Sequence, residues 1–383
     1  MHASDKKENA SALPPPEAVP YRFVETAETM EQLLAELAAI DRVAVDTEAD
    51  SLHCYREKLC LIQLSFPEAD RLQHVLVDPL AFQDLNPLLT VLEQKELLLH
   101  GASYDLKMLQ LGRPFSPPRI FDTEWAAKLL GLQQFGLANL VGEELGFGLS
   151  KQHQKADWGM RPLPEPMRAY AVNDTRFLPE LADRFTARLQ DLGRMSWLAA
   201  CCERMLEVAQ RPQPVGADEE RWRISGSGRL QPRQLEILRR AWLWREQLAE
   251  KLDRPVFRVT GNEALLDVAV QTEEARILNG KRKFPPRWQS ALRKVIDEAL
   301  AVDEEELPQR PRGRRSATVP DWEKKFEALR TQRQTAAAEL GIDAGVIAPR
   351  KALERLAAGD SPAEHLMDWQ TDILRNQGAT FQE

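Results

Sequence analysis

The chain has 383 residues, more than one ordinary hydrophobic core accommodates, so two or three domains are expected. Its composition is that of a globular protein: 43% of residues are hydrophobic, 29% are charged, and the formal net charge is −8. That balance excludes a globally basic nucleic-acid binder, so any such partner must be held by local patches and cations. No run of 18 or more apolar residues occurs and the start (MHASDKKENA) carries no apolar leader, so the expectation is no membrane span and a cytoplasmic location. The four cysteines, Cys54, Cys60, Cys201 and Cys202, form no CxxC pair and read as reduced core thiols.

Residues 1–20 are polar and then proline-rich (Leu13-Pro14-Pro15-Pro16), which predicts a disordered or extended lead-in. Tyr21 to Val24 reads as a short strand, and apolar residues at helical spacing predict a helix over 27–40. Strand-like runs follow at Arg42–Thr47, Leu59–Ser65 and Gln73–Val77. Asp84–Gln94 predicts a helix, Glu96–His100 a buried strand, and Ser103–Leu111 a helix entered through a Ser cap. From Asp122 onward the pattern is almost wholly helical, with Pro164–Leu192 as one long helix. Strands alternating with helices, then helices alone, indicate an α/β mixed sheet flanked by helices, followed by all-α modules. Pro, Gly and Ser break the periodicity over 211–227, and Glu, Pro, Arg and Gly break it over 306–320. These breaks divide the chain into a first domain over 21–210, a helical domain over 228–305 and a second helical module over 321–376.

Val43-Ala44-Val45-Asp46-Thr47-Glu48 is an apolar strand ending in two acids. Alternation puts Asp46 and Glu48 on one face, roughly 7 Å apart along the backbone, where they repel unless protons or cations intervene. Asp105 falls in the first turn of the helix after Glu96–His100, where the dipole favours a carboxylate. Tyr170 and Asp174, at i and i+4, share a helix face. Singly, each has an ordinary reading as a capping, half-buried or solvated residue; four acids in this order form a joint pattern. Four carboxylates are hard ligands that suit Mg²⁺ or Mn²⁺. Two such ions about 4 Å apart would serve phosphodiester hydrolysis. Tyr170, with an ordinary pKa near 10, is a poor base at neutral pH, and its expected role is to aim the attacking water.

VDTEAD, HGASYDLKML and YAVNDT resemble the three motifs of the DEDD superfamily of 3′-5′ exonucleases, in the subgroup with tyrosine in its third motif. The flanking segments SLHCYREKLCLIQLS, FDTEWAAKLLG and KADWGMRPLPEPMRAYAVND are similar to its ribonuclease D family over roughly residues 21–210. The resemblance implies an RNase H-like fold and metal-dependent release of mononucleotides from RNA 3′ ends, with tRNA 3′ processing as the setting. It carries Asp46, Glu48, Asp105 and Asp174 over as metal ligands and Tyr170 as the water-positioning residue. Residues 228–305 resemble the helicase-and-RNase-D C-terminal (HRDC) domain, and 321–376 a second, more divergent such module.

His53 and Tyr55 follow the first motif and are candidates to touch the terminal nucleotide, with turn packing the alternative. Lys151, Gln152, Lys155 and Trp158 precede the third motif and are candidates for phosphate contact or base stacking, with a core role the alternative for Trp158. His100 is expected to make a structural hydrogen bond. Residues 221–260 hold ten Arg/Lys against four acids, and with Arg239 and Arg240 among them they offer a positive surface for RNA. Lys281-Arg282-Lys283 and Arg310 to Arg315 add to it; the alternative is a solvated helix face that neutralises nearby acids. The partner expected is RNA with a free 3′ end, tRNA precursors above all, acted on by a monomer. Two rivals are a 3′-5′ exonuclease acting on single-stranded DNA at the same site, and an RNA- or partner-binding module with incidental catalysis.

Overall fold

The computed structural model describes residues 15, 17–211, 220–270, 284–310 and 321–381. Most of the lead-in, much of both linkers, and the basic residues Lys281-Arg282-Lys283 and 311–315 lie outside the described residues. The chain forms two compact units. One comprises Met1–Ala49, Lys58–Arg211 and Ser316–Glu383; the other comprises Asp50–Glu57 and Pro212–Arg315.

The first unit opens with β1 (Arg22–Val24) and α1 (Ala27–Ala38), which is entered by a capping box between Thr26 and Thr29. Then come β2 (Arg42–Ala49), β3 (Leu59–Glu68), β4 (Arg71–Val77), α2 (Asn86–Leu92), β5 (Glu96–Leu99), α3 (Ser103–Leu109) and β6 (Arg119–Asp122). The strands make one six-stranded sheet in the order β1-β4-β3-β2-β5-β6. β3 runs antiparallel to β2 and β4; β1–β4, β2–β5 and β5–β6 are parallel pairs, so the sheet is mixed as expected. β2 therefore lies in the interior, which suits its apolar start, and β3 divides its side chains between two cores. Ile62, Leu64 and Phe66 enter the main core, whereas Leu61 enters a smaller one under α6 (Glu165–Thr175).

Around the sheet lie α4 (Thr123–Leu129), α5 (Leu137–Leu145), α7 (Leu178–Asp191) and α8 (Met195–Gln210). Three local expectations are corrected. The helix expected over Pro164–Leu192 is two helices, because Pro179 has no N–H and disfavours helical backbone just before it. Ser103 does not cap α3: the N-cap is Ala102, whose N–H donates to Asp122 Oδ2 at 2.7 Å. β6 is a strand beyond those expected, its four residues too few and too close to the helical run to show a period of their own.

The described segment expected as a second helical module forms α13 (Trp322–Leu340), α14 (Ala344–Ile347), α15 (Arg350–Ala357) and α16 (Asp368–Asn376), and it shares the main core of the first unit. Leu329, Ala336, Ile347, Leu353 and Leu374 are buried there. Trp369 of α16 stacks on Trp197 of α8 with ring centroids 4.8 Å apart. Arg194 donates to the carbonyls of both Leu129 and Leu340, at 2.6 Å each. A Cβ on Gly131, whose φ is +79°, would stand 2.0 Å from the Gly341 carbonyl oxygen, so only glycine permits this backbone approach.

The second unit contains α9 (Pro232–Lys251), α10 (Val256–Val259), α11 (Asn262–Val270) and α12 (Pro286–Leu300) around Leu235, Leu238, Leu265, Val268, Leu292 and Ile296. Glu236 is fully buried and held by Arg239 and Arg240, and Arg240 also reaches Glu298. Arg245 is bonded to Asn262 and Glu246, and Arg233 donates to the carbonyls of Ala299 and Val302. Much of the basic excess therefore neutralises acids and caps carbonyls inside the bundle.

Candidate active site

Asp46 and Glu48 stand at the end of β2, opposite Gln63 and Leu61 of β3, just before a register shift at Ala49. Asp174 reaches them from α6. Carboxylate oxygens of Asp46, Glu48 and Asp174 all lie within 4.8 Å of one another. Asp105, on α3, is not one of that trio, but its charge acts on all three acids. The chain leaves β5 at Leu99 and turns through Gly101 at φ +71°, where a Cβ would meet Glu124 Oε2 at 2.7 Å, to place Asp105 in the first helical turn. Thr47 Oγ1 donates to Asp105 Oδ1 at 2.7 Å, so the residue between the paired acids orients the third.

Burial raises the pKa of Asp46 well above the carboxylate range, reinforced by the charges of Asp105, Asp174 and Glu48. Glu48 is pushed to about 9 by burial and then by Asp174 and Asp105. Asp174 reaches about 8 through burial and the charge of Asp105. Burial takes Asp105 to about 7 against the opposing hydrogen bonds from Thr47. Crowded carboxylates cannot all ionise by themselves. A divalent cation inverts that logic, and four hard oxygen donors fit Mg²⁺ or Mn²⁺ better than zinc. Asp46, Glu48 and Asp174 retain partial exposure, so the cluster is open to solvent.

Tyr170 is half-buried one turn before Asp174. Burial, followed by the charges of Asp174, Glu48 and Asp46, raises its hydroxyl pKa, and a hydrogen bond from Gln154 opposes the rise. The hydroxyl therefore stays protonated at neutral pH. The ring meets His153 edge-on at 5.7 Å between centroids.

Several supports of the site carry little or no signal in the sequence. Ser65 Oγ sits 2.8 Å from Thr175 Oγ1 and 2.8 Å from His74 Nδ1, tying α6 to the sheet beside Asp174. Arg161 grips both Asp78 carboxylate oxygens at 2.6 Å and donates to the carbonyls of Cys60, Trp158 and Met160, anchoring the segment that leads into α6. Arg in a Pro-rich loop was the only hint.

The remaining candidates are placed as follows. Lys151, Gln152 and Lys155 are exposed on the segment before α6. Trp158 is 1% exposed and packs with Cys60, Leu61, Leu163 and Met167, so it presents no face to a base; its core reading is the correct one. Tyr55 belongs to the second unit, where its hydroxyl donates to Glu246 at 3.2 Å and its N–H to Asp253 at 3.1 Å. His53 lies in the same short turn, its N–H on the Asp50 carbonyl. Arg239 and Arg240 are committed to Glu236. His100 Nδ1 is 2.9 Å from Thr123 Oγ1, a structural bond, and burial lowers its pKa to about 4. All four cysteines are buried thiols outside any disulfide. Among the described residues no helix is long and apolar enough to cross a membrane.

The 3′-5′ exonuclease family model matches residues 21–190 and the HRDC domain model matches 234–275. Ribonuclease D of Gluconacetobacter diazotrophicus is 31% identical over 303 residues, spanning 76% of this chain and 75% of that one. Ribonuclease D of Sphingobium indicum is 29% identical over 356 residues, 88% of each chain. A Bifidobacterium adolescentis protein of known structure superposes with a TM-score of 0.75 at 25% identity, covering 95% of this chain and 97% of that one. The fold is also that of Escherichia coli RNase D, with a TM-score of 0.70 at 24% identity over 94% of this chain and 98% of that one. With its mixed sheet, helical HRDC region and these relatives, the chain belongs to the ribonuclease D family of 3′-5′ exoribonucleases.

Proposed function

We propose that the protein hydrolyses the terminal phosphodiester of RNA from a free 3′ end, using two divalent cations, Mg²⁺ or Mn²⁺, and releasing nucleoside 5′-monophosphates. One observation carries the reading: three carboxylates from β2 and α6 converge within 4.8 Å, and Tyr170 stands one turn from Asp174. Asp46, Glu48, Asp105 and Asp174 would hold the cations. When bound, these would lower the pKa of water and neutralise charge gathering on the phosphoryl oxygens and the leaving oxygen.

The residues of the chain do the positioning. Thr47 keeps the Asp105 carboxylate turned into the site. Tyr170, protonated and steadied by Gln154, hydrogen-bonds the attacking water and aligns it with the P–O3′ bond. Water gives up a proton to solvent as its oxygen bonds to phosphorus, the P–O3′ bond breaks, and the leaving 3′-oxygen takes up a proton, so the shortened RNA ends in a 3′-hydroxyl. Lys151 and Lys155, exposed on the segment before α6, would meet backbone phosphates. The catalytic domain is assigned to 21–210, the HRDC domain to 228–305, the setting to tRNA 3′ processing and the location to the cytoplasm.

The test is an assay of the Asp174→Asn variant for both turnover and RNA binding. Turnover should fall by about 10³-fold or more, while affinity for RNA in the presence of Ca²⁺ changes by less than roughly tenfold. Undiminished turnover would refute the site.

A further inference from the structure

Gln63 is a buried polar residue beside the acids that the mechanism above does not use. It lies on β3 directly opposite Asp46 in the antiparallel β2–β3 pair. Directly opposed residues project to the same face with Cβ atoms about 4.5–5.5 Å apart, so the carboxamide and the carboxylate stand side by side. On that face Gln63 lies between Leu61, which shares a core with Ala171 and Val172 of α6, and Ser65, which is bonded to Thr175 of α6. It is 0% exposed, and among the described residues neither Oε1 nor Nε2 has a hydrogen-bond partner. A carboxamide buried this way is destabilising, and an apolar side chain of similar volume would fill the same space without that penalty.

We propose that Gln63 is a positioning residue of the cation centre: when a cation is bound, its Nε2–H, unpartnered without one, donates to the Asp46 carboxylate and fixes the oxygen that Asp46 offers to the cation. The inference rests on the metal-dependent reading of the site. Partners of a ligating carboxylate orient it and set its affinity, and a donor locked under a helix by packing on both sides does so with little freedom to stray. Thr47 serves Asp105 in the same manner, from the other side chain direction of β2.

The test uses the full chain and the variant Gln63→Met, which keeps the length and removes the amide. Melting is followed in chelator and across a Mn²⁺ titration, with wild type and Asp174→Asn alongside. In chelator the Met variant should melt at or above the wild-type temperature, because an unpaired amide has gone. Its Mn²⁺ midpoint should rise by about tenfold or more, the scale expected for loss of a partner to a ligand. A wild-type midpoint would overturn the proposal, because a packing role alone leaves cation affinity unchanged. Should Gln63→Met not fold, Gln63→Leu and Gln63→Asn decide in the same titration. A weakened midpoint in the Leu variant, with the Asn variant closer to wild type, supports the assignment, and unchanged midpoints in both overturn it. If wild type itself shows no Mn²⁺-dependent shift, the metal-dependent reading falls together with this inference; a wild-type shift retained in the Met variant removes only the inference.

Discussion

Replacing Asp174 by Asn should stabilise the metal-free protein at alkaline pH while abolishing its response to cations. Asp174 has two carboxylate neighbours within 4.8 Å. At an effective dielectric near 20, each such pair of charges repels by about 3.5 kcal/mol. Protons relieve that repulsion, which is why burial and the charge of Asp105 push Asp174 from 3.8 to about 8. A carboxyl whose pKa is raised on folding contributes no penalty below the unfolded value. Stability is then lost progressively as pH climbs through the folded value. That difference sets an upper bound of roughly 6 kcal/mol at pH 9. Partial exposure of Asp174 reduces this to an expected gain of about 2–3 kcal/mol for the variant in EDTA, or roughly 5–10 °C in Tm. The gain should vanish at pH 4, grow as pH rises towards 8 and level off by pH 9. With saturating Mn²⁺ the order should reverse, since wild type gains binding energy that the variant forgoes. Scanning calorimetry of both proteins, in EDTA and in Mn²⁺, at several pH values, reads all of this. A variant less stable than wild type in EDTA at pH 9, or one that gains as much from Mn²⁺, would refute the electrostatic reasoning.

Other expectations are independent of this one. Tyr170→Phe should lower kcat by about 100-fold or more while leaving the Mn²⁺-induced rise in Tm intact, because the hydroxyl orients water and holds no cation; a loss of the Mn²⁺ response would contradict that role. Gly131→Ala should destabilise the first unit by about 2–3 kcal/mol, since a Cβ there meets the Gly341 carbonyl and φ is positive; an unchanged Tm would refute the close approach. A chain ending at residue 315 should lose cooperative unfolding of the first unit, because Leu329, Ile347, Leu353 and Leu374 leave its core. A cooperative melt at the full-length temperature would show that these helices are dispensable.

The acids were legible because their signal is local: Asp46 and Glu48 share a strand face by alternation, and Tyr170 and Asp174 share a helix face by i, i+4 spacing. Their convergence was inferred from order along the chain and from resemblance, and the packing of α6 across β3 brings three of them together. Gln63, Ser65 and Arg161 were opaque for the converse reason. Their partners lie far away in sequence, and a Gln inside an apolar strand says nothing about which residue will stand across from it. Trp158 shows the same limit, since composition allows both a stacking platform and a core residue, and its burial among Cys60, Leu61, Leu163 and Met167 decides between them. The helices of 322–376 were recognisable by periodicity, but amphipathicity shows that a face will be buried without naming the surface that buries it. Pro179, by contrast, marked a helix break that chain-local chemistry alone explains.

Acids from β2, α3 and α6 would hold a pair of cations for RNA trimming. Anomalous diffraction from crystals of the protein soaked in Mn²⁺ tests it most directly. Two peaks are expected about 4 Å apart, within roughly 2.2 Å of carboxylate oxygens from Asp46, Glu48, Asp105 and Asp174. Manganese bound elsewhere, with these four carboxylates unligated at saturating Mn²⁺, would contradict it.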